Sequence, residues 1–284
     1  MRQPDIFARL KRLLKLLTPP ILIQVSRTLM QGFATQPEWQ NYPEAWAAAQ
    51  KDSHLKGWNV RSVLDAYKSR WPEFIAGLQG THPLGGGTNS SLPSHNTVVS
   101  FAYALTLASR NKASLSMLDW GGGIGHYYLI SRAILPDLEI NYTCKDVPIL
   151  CEHGRELFPE VTFCSDDSFL NHRYDFVLAS GSLQYATNWV ETLKQICKVT
   201  NAYLFVTRLP IIQHRASFIV AQRAYDSGFL HWILNRQEFL KCAADAGMQL
   251  IREFLVPERL DLYDPHKQCE YGFLFYPGGS DQKG

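Results

Sequence analysis

The chain has 284 residues, 46% hydrophobic and 19% charged, with a formal net charge of +2. These are ordinary values for a globular protein with a sizeable core, and so small a charge gives no electrostatic footprint for nucleic acid. No stretch reaches the roughly 20 apolar residues of a transmembrane helix.

The six cysteines, at 144, 151, 164, 197, 242 and 269, contain no CxxC pair. Neither a zinc knuckle nor a redox dithiol is indicated, and buried free thiols in a reducing compartment are expected. No His/Glu/Asp cluster has metal-ligand spacing, so no metal is expected.

In chain order, "DIFARLKRLLKLLTPP" places Ile6, Phe7, Leu10, Leu13, Leu14 and Leu17 at helical spacing against Arg9, Lys11, Arg12 and Lys15. Charges interleaved with the apolar residues do not suit a signal peptide. Two readings stand for residues 5–17: a helix packed on protein, or one lying on an anionic membrane surface. The expected location is cytoplasmic, with a peripheral membrane contact left open.

Residues 1–95 read as a helical N-terminal extension holding Trp39, Trp46, Trp58 and Trp71, expected to be structural anchors. "YPEAWAAAQ" has Pro43 where a first helical turn tolerates it. "NVRSVLDAYKSRW" offers Asn59 as an N-cap. Residues 81–96, "THPLGGGTNSSLPSHN", form a linker. Their triple glycine has no preceding strand and no following Lys-Ser/Thr, so the phosphate-loop pattern fails.

From residue 96 the pattern becomes regular. "TVVSFAYALTLASR" is a helix, "ASLSMLD" a strand, "HYYLISRAIL" a helix and "LEINYTC" a strand. "VPILCEHGREL" is a helix, "VTFC" and "YDFVLAS" are strands, "WVETLKQICKV" a helix and "AYLFVT" a strand. After a mixed segment, "NRQEFLKCAADAG" is a helix with a capping box from Asn235 and Glu238 and a stop at Gly247. "MQLIREFLV" and "EYGFLFY" are the last strands. Strands alternating with helices predict an α/β domain over 96–284, with a mainly parallel sheet flanked by helices.

In such sheets a ligand sits beyond the carboxyl ends of the strands. The turn after the first of these strands reads Asp119, Gly121, Gly123, Gly125. The dinucleotide fingerprint G-x-G-x-x-G fails in both registers, at His126 and at Tyr128, which argues against a nicotinamide oxidoreductase. An acid two residues before the first glycine suits a ligand bearing an ammonium group rather than a pyrophosphate.

The pattern resembles motif I of the class I S-adenosylmethionine (SAM) dependent methyltransferases. The resemblance covers roughly residues 96–276 and implies that family's seven-stranded sheet and SAM as cofactor. It implies that Asp119 and the three glycines lie under the methionine end. Asp146, at the end of the second strand, would meet the ribose hydroxyls, and it also suits an N-cap. In "CSDDSF", Asp166 is the choice over Asp167 for the adenine end. "YDFVLASGSLQYATNW" looks like the loop beneath the reactive end, with Ser180 and Gly181. The phrase "DWGGGIGHYY…CKDVP…LASGSLQY…TRLPI" resembles a bacterial branch associated with genes for surface-polysaccharide assembly, which speaks to context only.

Methyl transfer needs a general base only if the acceptor must lose a proton. His126 and His214 are the base candidates, Tyr185 is a candidate for shaping the acceptor pocket, and Arg208 for binding an anionic acceptor. The reading reached is a SAM-dependent methyltransferase acting on a hydroxyl of a sugar or other small polar or glycan acceptor. Nucleic acid is not an expected partner, since no Asn/Asp-Pro-Pro-Tyr/Phe stretch is present. A non-catalytic scaffold in a membrane-proximal assembly is the alternative.

Overall fold

The computed structural model describes residues 38–49, 51, 54–81, 92–256 and 269–278. The basic segment 5–17 and most of the linker lie outside them. Glu38 onward belongs to one packed unit, described below.

Its helices are α1 (Tyr42–Ala49), α2 (Arg61–Gln79), α3 (Leu92–Ser109), α4 (His126–Ile134), α5 (Pro148–Leu157), α6 (Trp189–Val199) and α7 (Arg236–Asp245). The strands are β1 (Ser114–Trp120), β2 (Glu139–Lys145), β3 (Thr162–Cys164), β4 (Tyr174–Ser180), β5 (Thr200–Ile212), β6 (Phe218–Ala224), β7 (Ser227–Asn235), β8 (Met248–Leu255) and β9 (Cys269–Pro277).

Strands β3, β2, β1, β4 and β5 lie side by side in that order, all parallel. Strand β9 continues the sheet antiparallel to β5, and β8 pairs antiparallel with β9. Helices cover both faces of the sheet, so the central strands β4 and β5 are largely apolar. Along β4 and β5, alternate residues feed opposite cores. Phe176, Leu178 and Phe205 face a cluster with Phe101 and Leu105 of α3 and Cys151 of α5. Val177, Ala179, Leu204 and Val206 face one with Leu193 and Ile196 of α6 and Phe239 of α7. This is the class I methyltransferase-type architecture expected from the sequence.

To these seven strands the chain adds a hairpin, β6–β7, in the segment that reads as mixed. Its tight turn pairs Ala224 with Ser227. The two central residues, Tyr225 and Asp226, have φ of +56° and +54°, the geometry of a type I′ turn, which asparagine and glycine usually supply. Tertiary contacts hold it instead: the Arg70 guanidinium lies 5.2 Å from the Tyr225 ring centroid, and Trp58 packs 5.9 Å away. The hairpin joins the sheet through Ile211 and Ile212 of β5, opposite Leu234 and Asn235. Trp39 exchanges backbone hydrogen bonds of 3.0 and 2.7 Å with Ile219, covering the hairpin's outer edge.

Three local expectations are corrected. Helix α3 starts at Leu92 rather than after residue 96. Asn59 does not cap α2, where Val60 takes the cap position without a side-chain bond. Its Oδ1 instead accepts from Ile149 N in the first turn of α5 at 3.2 Å, tying the extension to the domain. The capping box at α7 is half formed. Asn235 Oδ1 accepts from Gln237 N and Glu238 N at 2.8 and 3.1 Å. Glu238 reaches Ser217 rather than Asn235, and Ser217 Oγ accepts from Asn235 N at 2.8 Å.

Because Asn235 Nδ2 also donates to Arg215 O at 2.8 Å, this side chain joins the helix start to the β5–β6 connection. Asn235→Ala should cost about 2 kcal/mol, the upper end for an N-cap. Urea unfolding measures it, and a loss below about 0.5 kcal/mol would remove Asn235 from the cap.

Candidate functional site

Each glycine of the turn after β1 answers a separate demand. Gly121, Gly123 and Gly125 have φ of +78°, +64° and +96°, the left-handed region where a side chain is strained. Gly122 is excluded from bearing one for another reason: a Cβ there would lie 2.3 Å from Asp119 Oδ2. Gly121 N donates to Lys145 O at 2.7 Å, fixing the turn to the end of β2. A Gly123 side chain would meet the Tyr67 ring of α2 at 2.9 Å, so the extension roofs the turn.

Beneath the turn Asp119 is fully buried. Its Oδ2 accepts a short bond from Tyr142 Oη, and its Oδ1 has no partner. Burial pushes its carboxyl up to about 7, against the pull of the Tyr142 bond, and the nearby Asp146 adds to the rise.

Asp146 at the end of β2 accepts from Gly123 N at 2.7 Å through Oδ2 and from Val147 N at 2.6 Å through Oδ1. Burial raises its pKa, and these two bonds oppose the rise. Each carboxylate oxygen keeps a further acceptor position. Asp166 is exposed beyond β3, where its Oδ1 accepts from Ser168 N at 3.1 Å and caps the single turn Asp167–Asn171. That hydroxyl and backbone bonding to Ser168 holds its carboxyl below the usual range.

At the end of β4, Ser180 Oγ lies 2.7 Å from Tyr127 Oη, and Gly181 turns with φ of +63°. Ser182 Oγ donates to Trp120 O at 2.6 Å, which binds this loop to the end of β1. The structure therefore brings Asp119, the glycine turn, Asp146, Ser180 and Gly181 to one edge of the sheet, with Asp166 one strand further along.

The remaining candidates are dispersed. His126 packs among Phe74, Trp71 and Tyr67, with ring centroids 4.7, 5.0 and 5.5 Å away. Burial pulls it down to about 4, so it is a neutral imidazole in an aromatic cage. His214 is exposed in the β5–β6 connection. The four strand residues Leu209–Ile212 carry it roughly 13 Å along the strand beyond Arg208.

Tyr185 lies in the turn Leu183–Tyr185 that follows Gly181 and Ser182. Its hydroxyl donates to Gln222 Oε1 of β6 at 2.8 Å, and burial pushes it up to about 12 against the opposing charge of Arg208. Its ring meets Trp58 at 4.8 Å and His231 at 5.9 Å. Trp58 thus joins the extension to Tyr185, while Trp71 packs on His126 and Phe158. His231 had no signal in the sequence. It stands on β7 with a buried, unpartnered Nδ1, and burial pulls it down to about 4. Tyr67, Tyr142 and Ser182 were likewise unmarked, because each reaches the turn through tertiary packing.

Among the described residues no group of histidine, cysteine and acidic side chains has metal-binding geometry, and no helix is long and apolar enough to cross a membrane. Cys144, Cys151, Cys164, Cys197 and Cys242 are free and buried.

No protein-family model and no curated protein matches the chain. Similar solved structures exist. The [4+2]-cyclase SpnF is 13% identical, over 75% of this chain and 94% of its own, with a TM-score of 0.50. A SAM-dependent methyltransferase from Clostridium acetobutylicum is 9% identical, over 76% and 99%, with a TM-score of 0.47. The N-terminal domain of EvdMO1, solved in the presence of S-adenosylhomocysteine (SAH) and D-fucose, is 15% identical, over 79% and 99%, with a TM-score of 0.46. At such identities the likeness concerns the fold.

Proposed function

We propose that the chain is a SAM-dependent methyltransferase acting on a hydroxyl of a sugar or other small polar acceptor. The observation that carries this reading is Asp119, a fully buried carboxylate with one unpartnered oxygen beneath the glycine turn. Such a group is costly unless a cation meets it. The ammonium of the cofactor's methionine end is that cation.

In this reading the left-handed glycines let the backbone pass close beneath the ligand. The free lone pairs of Asp146 accept from the ribose hydroxyls, Asp166 lies at the adenine end, and Ser180 and Gly181 lie under the reactive end. When bound, the cofactor supplies an electrophilic methyl group on a sulfonium. The chain contributes orientation, the larger part of such a displacement, and exclusion of water by Trp58, Tyr67 and Tyr185. Tyr185 stays protonated at neutral pH and suits a hydrogen bond to the acceptor rather than removal of its proton. His126, caged and neutral, is assigned to packing.

Calorimetric titration with SAM tests this. Wild type should bind, and Asp146→Ala should lose about 1.5–3 kcal/mol, roughly ten- to hundred-fold in affinity. Asp146→Asn, which keeps an acceptor for one of the two turn amides, separates loss of the ribose contact from collapse of the turn. Folded wild type that binds no SAM, or variants that bind it equally well, would contradict the reading.

A further inference from the structure

Arg208 is the odd residue of β5. The parallel pairing of β4 with β5 ends at Ser180 and Thr207, and the next residue of each strand turns left-handed together: Gly181 at +63° and Arg208 at +55°. For glycine this is free. For arginine it is strain, which persists where the surroundings over-determine it, often at a functional site.

The surroundings here do so. Gly181 N donates to Thr207 O at 2.8 Å, Gln184 Nε2 donates to Arg208 O at 3.3 Å, and the pairing of β5 with β9 breaks register between Val206 and Leu209. The outcome is a guanidinium folded back over Gly181. Arg208 Cβ, Nε and Cζ all lie 3.6 Å from where a Gly181 side chain would begin. Its charge is felt at the hydroxyls of Tyr67, Tyr127 and Tyr185, from three separate elements. Among the described residues no carboxylate pairs with it. Beside it, Gln184 Oε1 and Thr207 Oγ1 are buried and unpartnered.

Position decides which ligand this charge serves. Along the edge of the sheet the order is Asp166 after β3, Asp146 after β2, the glycine turn after β1, Gly181 after β4 and Arg208 at β5. The residues assigned above to the cofactor occupy β3 to β4, so Arg208 stands one strand beyond, on the acceptor side, with the aromatic wall of Trp58 and Tyr185.

We infer that Arg208 is the specificity-determining residue of the acceptor subsite and that the acceptor carries an oxyanion, a carboxylate or phosphate, bound by the guanidinium over Gly181. This rests on the methyltransferase reading. A planar guanidinium fits such groups with two parallel bonds, which a lysine ammonium does not reproduce. A carboxylate is also present on the cofactor's methionine end, and the test separates the two sources.

The full chain, wild type, Arg208→Gln and Arg208→Lys, is titrated first with SAH. Each SAH-saturated protein is then titrated with glucose, glucuronate and glucose 6-phosphate. Wild type should bind at least one of the two anionic sugars about tenfold or more tighter than glucose. Arg208→Gln should lose that preference, Arg208→Lys should keep part of it, and SAH affinity should change less than about threefold in either variant. A tenfold loss of SAH affinity in Arg208→Gln would assign Arg208 to the cofactor's carboxylate and overturn the inference. So would wild type that does not prefer either anionic sugar, or Arg208→Gln that keeps the preference. Wild type that binds no SAH defeats the methyltransferase reading itself. Intact SAH binding without anion preference defeats this inference alone.

Discussion

Asp119→Asn should yield a protein that is more stable than wild type above pH 7 and that has lost its affinity for SAH. Burial raises the Asp119 carboxyl from 3.8 to about 7 in the folded chain. The folded state therefore holds a proton that the unfolded state has released across that interval. Stability from this group is fully present below about pH 4 and is lost as pH rises through about 7. Each pKa unit is worth about 1.4 kcal/mol, so the ionised carboxylate costs the ligand-free protein about 4 kcal/mol at pH 8. Asparagine keeps an acceptor for Tyr142 and removes the charge, but it places an amide donor where Oδ1 has no partner, at a cost of about 1–3 kcal/mol. The net gain expected at pH 8 is about 1–3 kcal/mol, disappearing at pH 5, where Asp119 is itself neutral. Denaturant unfolding at the two pH values reads this directly. A variant less stable than wild type at pH 8 would mean that the carboxylate is not a stored cost.

The same group sets the pH dependence of binding. An ammonium favours the ionised carboxylate, so binding expels the proton. Wild-type affinity for SAH should rise by up to about tenfold per pH unit below pH 7 and level off above it. Asp119→Asn should show neither the slope nor the affinity.

The second large effect is at Gly121. A Cβ there would sit 2.2 Å from Ser182 Cβ, in a backbone with φ of +78°. Ser182 cannot retreat, because it is buried and its Oγ is bonded to Trp120 O. Left-handed strain of about 1–2 kcal/mol and overpacking of about 1–3 kcal/mol add, so Gly121→Ala should cost about 2–5 kcal/mol. Gly57 is the matched control: its φ is +72°, with nothing within 4 Å of an added Cβ. Gly57→Ala should cost the strain alone. Equal melting-temperature losses for the two variants would show that the contact between the turn and the β4 loop does not bear on stability.

The half of the site around Asp119, the alternating glycines and Asp146 was legible because its demands are local. Left-handed backbone calls for glycine, and strand-end acids fall at fixed places once the strands are recognised. Gly122 was not legible, because its lack of a side chain is imposed by the Asp119 carboxylate folding up beneath it. The acceptor side was hidden for related reasons. The type I′ turn of the β6–β7 hairpin is built on Tyr225 and Asp226, whose geometry comes from Trp58 and Arg70, not from turn-forming residues. Strand β5 runs through Pro210 and past a left-handed arginine, both of which interrupt the strand pattern. Tyr67 reaches the glycine turn and Trp58 reaches Tyr185 from a region whose own sequence announces only helix.

The likeness in fold includes a cyclase, and a fold does not fix a reaction. What carries the proposed function is therefore the buried Asp119, the half-buried Asp146 and the turn between them. A crystal structure of the chain with SAH tests it most directly. The ammonium should lie beside Asp119 Oδ1, the ribose hydroxyls on Asp146, and the sulfur facing Ser180 and Gly181. SAH bound elsewhere, or bound here with its ribose away from Asp146, would contradict it.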